Sequence, residues 1–211
     1  MGTAPGAPWV LATRSDGKLR ELRALFACEG IAVVDLREVG IDESPEEEGL
    51  ECHETFEENA LAKARWFRRR AGNRIVIADD SGLEVPALGN VPGVRSKRWS
   101  GRRELDGRAL EAANNALLIE RLAGVSARGA RFVCAAAWCG PRGDVVALGE
   151  VEGVIVEAPS GAEGFGYDPH FHALELGMTL GDADVALKQA VSHRGRAFRA
   201  LVARLRADGA I

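Results

Sequence analysis

Two adjacent carboxylates, Asp79 and Asp80, follow the apolar run Ile75–Ala78 and are followed at once by Ser81 and Gly82. Four consecutive apolar residues ahead of turn-forming ones read as a buried strand that ends at the carboxylates. The end of such a strand is where an α/β fold carries its chemistry, because a rigid sheet holds the loops there. Neighbouring residues on a strand point to opposite faces, so one aspartate of the pair faces a given cleft. A carboxylate in that position suits Mg²⁺, which takes hard oxygen ligands. Asp, Ser and Gly are also common turn residues, so a plain surface turn is the competing reading.

Three further segments have types suited to chemistry. Thr13-Arg14-Ser15-Asp16-Gly17-Lys18 joins a short apolar segment to a helical pattern. Free backbone N–H groups, hydroxyls and a lysine there suit phosphate oxygens. The GxxxxGK[ST] spacing of a Walker A loop is absent, and Ser15 or Asp16 serves equally as an ordinary helix cap. In Gly164-Phe165-Gly166-Tyr167-Asp168-Pro169 the glycines permit close backbone approach, and an exposed Phe can stack on a planar base. A tight loop with a structural aromatic fits the same string. Lys188 with Ser192-His193-Arg194 offers cationic hydrogen-bond donors, or a capped helix start. His170 and His172 share one face of an expected strand. With no third ligand in view they are expected to be structural.

The elements that must position these residues alternate along the first half of the chain. Pro8–Thr13 reads as a strand, Lys18–Phe26 as a helix with Leu19, Leu22, Leu25 and Phe26 on one face, and Ile31–Leu36 as a second strand. An acidic segment, Asp42–Glu51, leads into a strong helix over Thr55–Arg70. There Thr55 and Glu58 form a capping-box pattern and Phe56, Ala60, Ala64 and Phe67 share a face. Beyond the Ile75 strand come a Pro/Gly-rich loop, Pro86–Gly101, and a helix at Ala109–Leu122. Arg131–Trp138 and Asp144–Val156 read as an antiparallel pair around Gly-Pro-Arg-Gly, and a last helix spans Arg194–Ala207. The expectation is an α/β protein with a mixed sheet flanked by helices. The basic run Arg65–Arg70 falls at a helix C-terminus, where positive charge opposes the macrodipole.

Composition bounds the partners. The 211 residues are 46% hydrophobic and 27% charged with a net charge of −4, which suits one globular domain or a two-lobed one. An acidic whole is not built to coat nucleic acid or an acidic membrane, and no apolar run approaches the roughly 18 residues of a spanning helix. The start, MGTAPGAPWV, has neither the charge and apolar core of a signal peptide nor a myristoylation pattern, since Gly6 stands where Ser or Thr is needed. Residues 1–7 are expected to be flexible and 8–208 to form the domain. The cysteines, Cys28, Cys52, Cys134 and Cys139, show no CxxC or zinc spacing. Cys28 and Cys134 lie in apolar contexts and are expected to be buried thiols, with a reduced, cytoplasmic location as the default.

Taken together, TRSDGK, ETFEENALAKA (Glu54–Ala64), ADDSGLEVPALGNVPGV (Ala78–Val94), GFGYDPHF (Gly164–Phe171) and SHRGRA (Ser192–Ala197) resemble the inosine triphosphate pyrophosphatase family over nearly the whole chain. The resemblance implies a two-lobed mixed α/β fold with the active cleft between lobes, usually a homodimer. It implies Mg²⁺-dependent hydrolysis of non-standard purine nucleoside triphosphates (ITP, dITP, XTP) to the monophosphate and pyrophosphate. Residue by residue, Asp80 matches the catalytic aspartate and a metal contact, and Glu51 the metal-binding glutamate. Thr13, Arg14, Ser15, Asp16, Gly17 and Lys18 match the triphosphate loop; Lys63, Ser81 and Lys188 match further substrate or phosphate contacts. Phe165, Gly166, Tyr167 and Asp168, with His193 and Arg194, match the base pocket. Glu58 and Asn59 share with Lys63 a helix that supports the phosphate and metal site, and Asp79 is expected to face away from the cleft and support the loop.

The chain departs from the family pattern at three places. Ser15 stands where Asn is usual. Glu51-Cys52-His53 replaces the usual ETG, so Glu51 rests on spacing, with Glu47 and Glu48 as competitors. PGVRSKRW carries Arg95, Lys97 and Trp99 in place of smaller or neutral residues. Two other classes stay open: a nucleotide-binding regulatory module without hydrolysis, and a pyrophosphatase for standard nucleotides or modified pyrimidines.

Overall fold

The computed structural model describes residues 6–211, apart from the side chains of Val185 and Gln189. Residues 1–5, which carry most of the expected N-terminal extension, lie outside the described residues. The strands are β1 (Trp9–Leu11), β2 (Val33–Asp35), β3 (Val76–Val85), β4 (Val91–Pro92), β5 (Gly129–Gly140), β6 (Gly143–Ile155), β7 (Phe171–Ala173) and β8 (Met178–Thr179). The α-helices are α1 (Asp16–Cys28), α2 (Phe56–Arg70), α3 (Gly107–Arg121), α4 (Val185–Val191) and α5 (His193–Ala207). The strands hydrogen-bond in the order β2-β1-β3-β5-β6-β7-β8, with β4 on β3. β1 pairs in parallel with both β2 and β3, whereas β3–β4, β6–β7 and β7–β8 are antiparallel. The two residues between β5 and β6 can join only antiparallel neighbours. The expected mixed sheet is therefore present.

The chain divides into two compact units. The first holds the chain up to Asp80, Cys134–Gly149 and Arg194–Ile211; the second holds Ser81–Val133 and Glu150–His193. In the first, Trp9 packs edge-on against Phe26 and Trp138, and Phe26 against Phe198 at 5.6 Å. Helix α5 buries Ala197, Phe198, Leu201, Val202 and Leu205, the apolar stripe of an amphipathic helix. Helix α2 buries Phe56, Ala60, Ala64 and Phe67, the face its spacing predicts, and starts at Thr55, whose side chain accepts from the Glu58 N–H. It ends in Arg68, Arg69 and Arg70, as the macrodipole favours. In the second unit, Leu118 and Leu122 pack with Leu83, Val85, Phe132, Ile155, Tyr167, Phe171 and Leu180.

Three expectations are corrected. β3 does not stop at Ala78: it runs ten residues through Asp79, Asp80, Ser81 and Gly82, so both carboxylates sit mid-strand. Cys28 is exposed at the end of α1, and only Cys134 and Cys139 are buried thiols. The thirteen-residue helix carries its apolar stripe on Leu22 and Phe26, and position 28 falls off that stripe. His170 and His172 do not share a strand face, because His170 lies in the 3-10 turn Asp168–His170 ahead of β7. His170 Nδ1 pairs with the Val156 carbonyl at 2.9 Å, a structural role. No described helix is long and apolar enough to cross a membrane.

Phe198 is fully buried at the meeting of α1, α5 and the sheet. Phe198→Ala is expected to lower the unfolding free energy by about 3–5 kcal/mol, read from denaturant midpoints at unchanged slope. A loss under about 1 kcal/mol would contradict this packing.

Candidate active site

β1 lies between β2, reached through α1, and β3, reached through α2. Where strand order reverses in this way, the carboxyl ends of the strands open a crevice in which α/β proteins hold ligands. The loop Thr13–Ser15 leaves β1 at that end. Because Leu11 is in register with Ile77, the first residues of this loop run level with Asp79 on β3. Ser15 caps α1 by accepting from the Lys18 N–H at 3.4 Å, and its own N–H donates to Thr13 Oγ1. The Arg14 guanidinium is engaged elsewhere: it donates to Glu47 and to the carbonyls of Ile41 and Asp42, fastening the acidic segment to the loop.

Asp79 and Asp80 are both buried, at 0% and 6% exposure, and the strand's period sends them to opposite faces. Their surroundings drive them apart electrostatically. Asp79 Oδ2 accepts from Lys18 Nζ at 2.8 Å and from Arg194 Nε at 3.1 Å. Burial alone would raise this carboxyl, but the charges of Lys18, Arg194 and Lys63 outweigh it and hold Asp79 well below the ordinary carboxylate range. Asp80 has different surroundings. Its Oδ2 accepts from Asn59 Nδ2 at 2.9 Å, while burial and the negative charge of Glu51 push it up to about 6.

Helix α2 organises the acidic side of this cluster. Fully buried Asn59 holds Asp80 with its amide nitrogen and the His53 N–H with its oxygen, so one side chain sets both the carboxylate and the segment before the helix. One turn on, Lys63 Nζ donates to Glu51 Oε1 at 2.6 Å and to the Asp79 carbonyl at 3.1 Å. Burial would lower the Lys63 ammonium, but Glu51, Asp79 and Asp80 raise it, so it stays charged. Of the competing glutamates, Glu47 is committed to Arg14 and to the Ser44 N–H, while Glu48 and Glu51 are both exposed. Glu51 is the one of the three among the leading charges that act on Asp80.

A second cluster lies in the second unit. Asp168 Oδ2 accepts the Phe165 N–H at 2.8 Å and Lys188 Nζ at 2.7 Å, and the ammonium sits 4.7 Å from the Phe165 ring centre. Such a cation over a ring face is attracted by the quadrupole. Tyr167 donates its hydroxyl to the Ser96 carbonyl, and Asn115 donates to the Gly166 carbonyl. His193 stacks flat on Phe132 at 4.8 Å. Ser81 is half-buried, next along β3.

The structure thus brings Thr13–Lys18, Glu51, Lys63 and Asp80 into one unit, and Phe165–Asp168, Lys188 and His193 into the other. Lys188, matched to phosphate in the sequence, is grouped with the residues matched to the base. Arg194, matched to the base, is 3% exposed and ion-paired with Asp79 and Glu21 in the first unit. Sequence reasoning missed Glu21, whose only signal is its place three residues after Lys18 on α1. It also missed Ser96 and Asn114, which tie 3-10 turn Gly93–Arg98 to α3 and carry no local signal. In that turn Arg95 and Lys97 are exposed, and Trp99 beyond it packs on the second core.

Comparison with known proteins agrees with this fold. The structure superposes on that of the Staphylococcus aureus Ham1 protein with a TM-score of 0.80 at 34% identity, covering 96% of this chain and 100% of that one. A Mycobacterium abscessus structure described as a nucleoside-triphosphatase / dITP/XTP pyrophosphatase matches with a TM-score of 0.69 at 40% identity, covering 92% and 97%. The Ham1 family model matches residues 9–204. The chain is 48% identical over 202 residues to a dITP/XTP pyrophosphatase of Burkholderia pseudomallei, covering 93% of this chain and 92% of that one. It belongs to the Ham1 family.

The raised Asp80 carboxyl has a pH signature in metal-free protein. Below about pH 4 it is protonated both folded and unfolded and costs nothing. Between pH 4 and about 6 the unfolded chain ionises first, so a destabilising contribution grows, and above 6 it is complete. Asp80→Asn keeps the shape and the Asn59 contact while removing this charge. It is expected to raise unfolding free energy by roughly 2–3 kcal/mol at pH 8 and to leave it unchanged at pH 4, measured by denaturant titration in EDTA.

Proposed function

We propose that this chain is a Mg²⁺-dependent pyrophosphohydrolase that converts dITP, ITP and XTP to the monophosphate and pyrophosphate, acting as a homodimer in the cytoplasm. The observation that carries the reading is Asp80: a buried carboxylate, oriented by Asn59, beside the Glu51 charge that raises it. Relatives named for dITP and XTP across nearly the full chain supply the substrate class.

The donor set fits a hard divalent cation. Buried Asp80 and exposed Glu51 carry like charges that a cation would offset, and Mg²⁺ is commonly held by one or two carboxylates plus substrate phosphates. Asp80 and Glu51 would hold the ion, which when bound lowers the pKa of a water and neutralises phosphate charge.

The chain's own residues supply the rest. Asp80 is oriented to take a proton from the attacking water, and its elevated affinity for protons suits a general base near neutral pH. Lys63 keeps Glu51 in place through a 2.6 Å ion pair. Lys18 and the α1 N-terminus offset the charge that builds on the leaving pyrophosphate. Phe165 provides a ring for stacking on the base. The Lys188 and His193 donors suit the 6-keto oxygen of hypoxanthine and xanthine. Adenine turns an amino donor toward the same groups, and each donor left unpaired in a buried pocket costs about 1–3 kcal/mol.

Pyrophosphate release in Mg²⁺ from dITP, ITP, XTP, GTP, ATP and dUTP tests the reading. The expected result is a kcat/KM for dITP, ITP and XTP at least about a hundredfold above ATP and dUTP. Asp80→Asn is expected to lose at least about a hundredfold in kcat while staying folded. Equal rates across the panel, binding of dITP without turnover, or an active Asp80→Asn protein would each reject it.

A further inference from the structure

In the first unit Lys18, Asp79, Arg194 and Glu21 form an alternating series of charges. Lys18 Nζ lies 2.8 Å and Arg194 Nε 3.1 Å from the same Asp79 oxygen, and the other end of Arg194 reaches Glu21 Oε2 at 2.6 Å. Glu21 lies three residues after Lys18 on α1, so the series closes on the helix that supplies the lysine. Asp79 is fully buried and Arg194 nearly so, whereas the Lys18 side chain keeps 18% of its surface exposed. Asp79 and Arg194 are thus locked in the interior, while the two α1 residues at the ends of the series, Lys18 and Glu21, keep part of their side chains exposed. Both cations fall on Oδ2, while Asp79 Oδ1 takes no hydrogen bond among the described residues.

We propose that Asp79 is a positioning residue for phosphate binding: it fixes the Lys18 ammonium at the mouth of the Thr13–Lys18 loop, and Arg194 serves as the clamp that fixes Asp79. An ammonium has three donors. The Asp79 bond occupies one and sets the direction of the other two. Without it, a four-carbon stem must be ordered each time an anion binds, at the cost of side-chain entropy. Lys63 Nζ adds a tie to the Asp79 carbonyl, so the strand backbone under this clamp is held as well. The inference rests on the reading of Lys18 as a phosphate contact.

Asp79→Asn tests it, since the amide oxygen can occupy the Oδ2 place and the NH₂ the side that has no partner. The variant is expected to raise KM for dITP about tenfold, with kcat changed less than threefold. In a Lys18→Ala background the same substitution is expected to change KM less than twofold, because the route through the lysine is gone. Independent, multiplying effects, or an unchanged KM, would overturn the proposal. A second measurement needs no Asp79 variant. In ¹⁵N-lysine-labelled wild-type protein one ammonium resonance is expected to be protected from exchange, to vanish in Lys18→Ala and to shift on adding inorganic tripolyphosphate. No protected Lys18 resonance, or one blind to tripolyphosphate, overturns the inference even where dITP is hydrolysed. A shifting resonance in a protein that does not turn over dITP rejects the substrate reading and leaves the positioning role standing.

Discussion

Two carboxylates buried side by side on one strand are the constraint around which the first unit is organised. A buried, unpaired carboxylate is expensive, so each must be neutralised, paired or hydrogen-bonded. The period of β3 makes one solution for both impossible, because adjacent side chains face opposite ways. Asp79 is met by Lys18 and Arg194 and stays ionised; Asp80 is met by the neutral amide of Asn59 and the like charge of Glu51, and its proton is held to about 6. Pairs of titratable groups pushed apart by their surroundings mark a division of labour between structure and chemistry. Here that division falls between neighbours in the chain.

The second unit solves a similar problem by loop geometry. Asp168 is buried, and its Oδ2 takes both the Phe165 N–H and the Lys188 ammonium. The loop can close this tightly only because Gly164 adopts φ +81° and lacks a side chain; a Cβ there would collide with Asp168 Oδ2. Lys188 is buried along with its partner, and its ammonium lies against the Phe165 ring. A buried cation on a ring face beside a carboxylate is a donor of fixed direction, which is what discrimination between a keto oxygen and an amino group demands.

Elements with strong local signals were legible in the sequence. The Thr55 cap, the Phe56/Ala60/Ala64/Phe67 face and the hairpin around Gly-Pro-Arg-Gly are encoded within a few residues, and the structure has all three. The continuation of β3 past Ala78 was not legible, because four polar or small residues after an apolar run spell a turn by composition. What keeps them in the strand is pairing with cations 61 and 115 residues away and an amide 21 residues away. Helix α4 was missed for a related reason: seven residues are too few for a periodic signal.

The same distinction governs the site. Residue types that bear chemistry could be identified one by one, but their partners could not, and a partner decides what a side chain does. Arg14 and Arg194 both look like anion-binding guanidiniums. One fastens the acidic segment through Glu47, and the other is buried between Asp79 and Glu21. Glu47, Glu48 and Glu51 are equivalent as letters, yet Glu47 is neutralised by Arg14, while Glu51 shares Lys63 with the Asp79 backbone and reaches Asp80 electrostatically. A lysine already held by a glutamate neutralises that glutamate only in part, because it is shared with a second acceptor. Burial lifts Asp80 first and the residual negative charge adds to it; the same charge is what a divalent cation would meet.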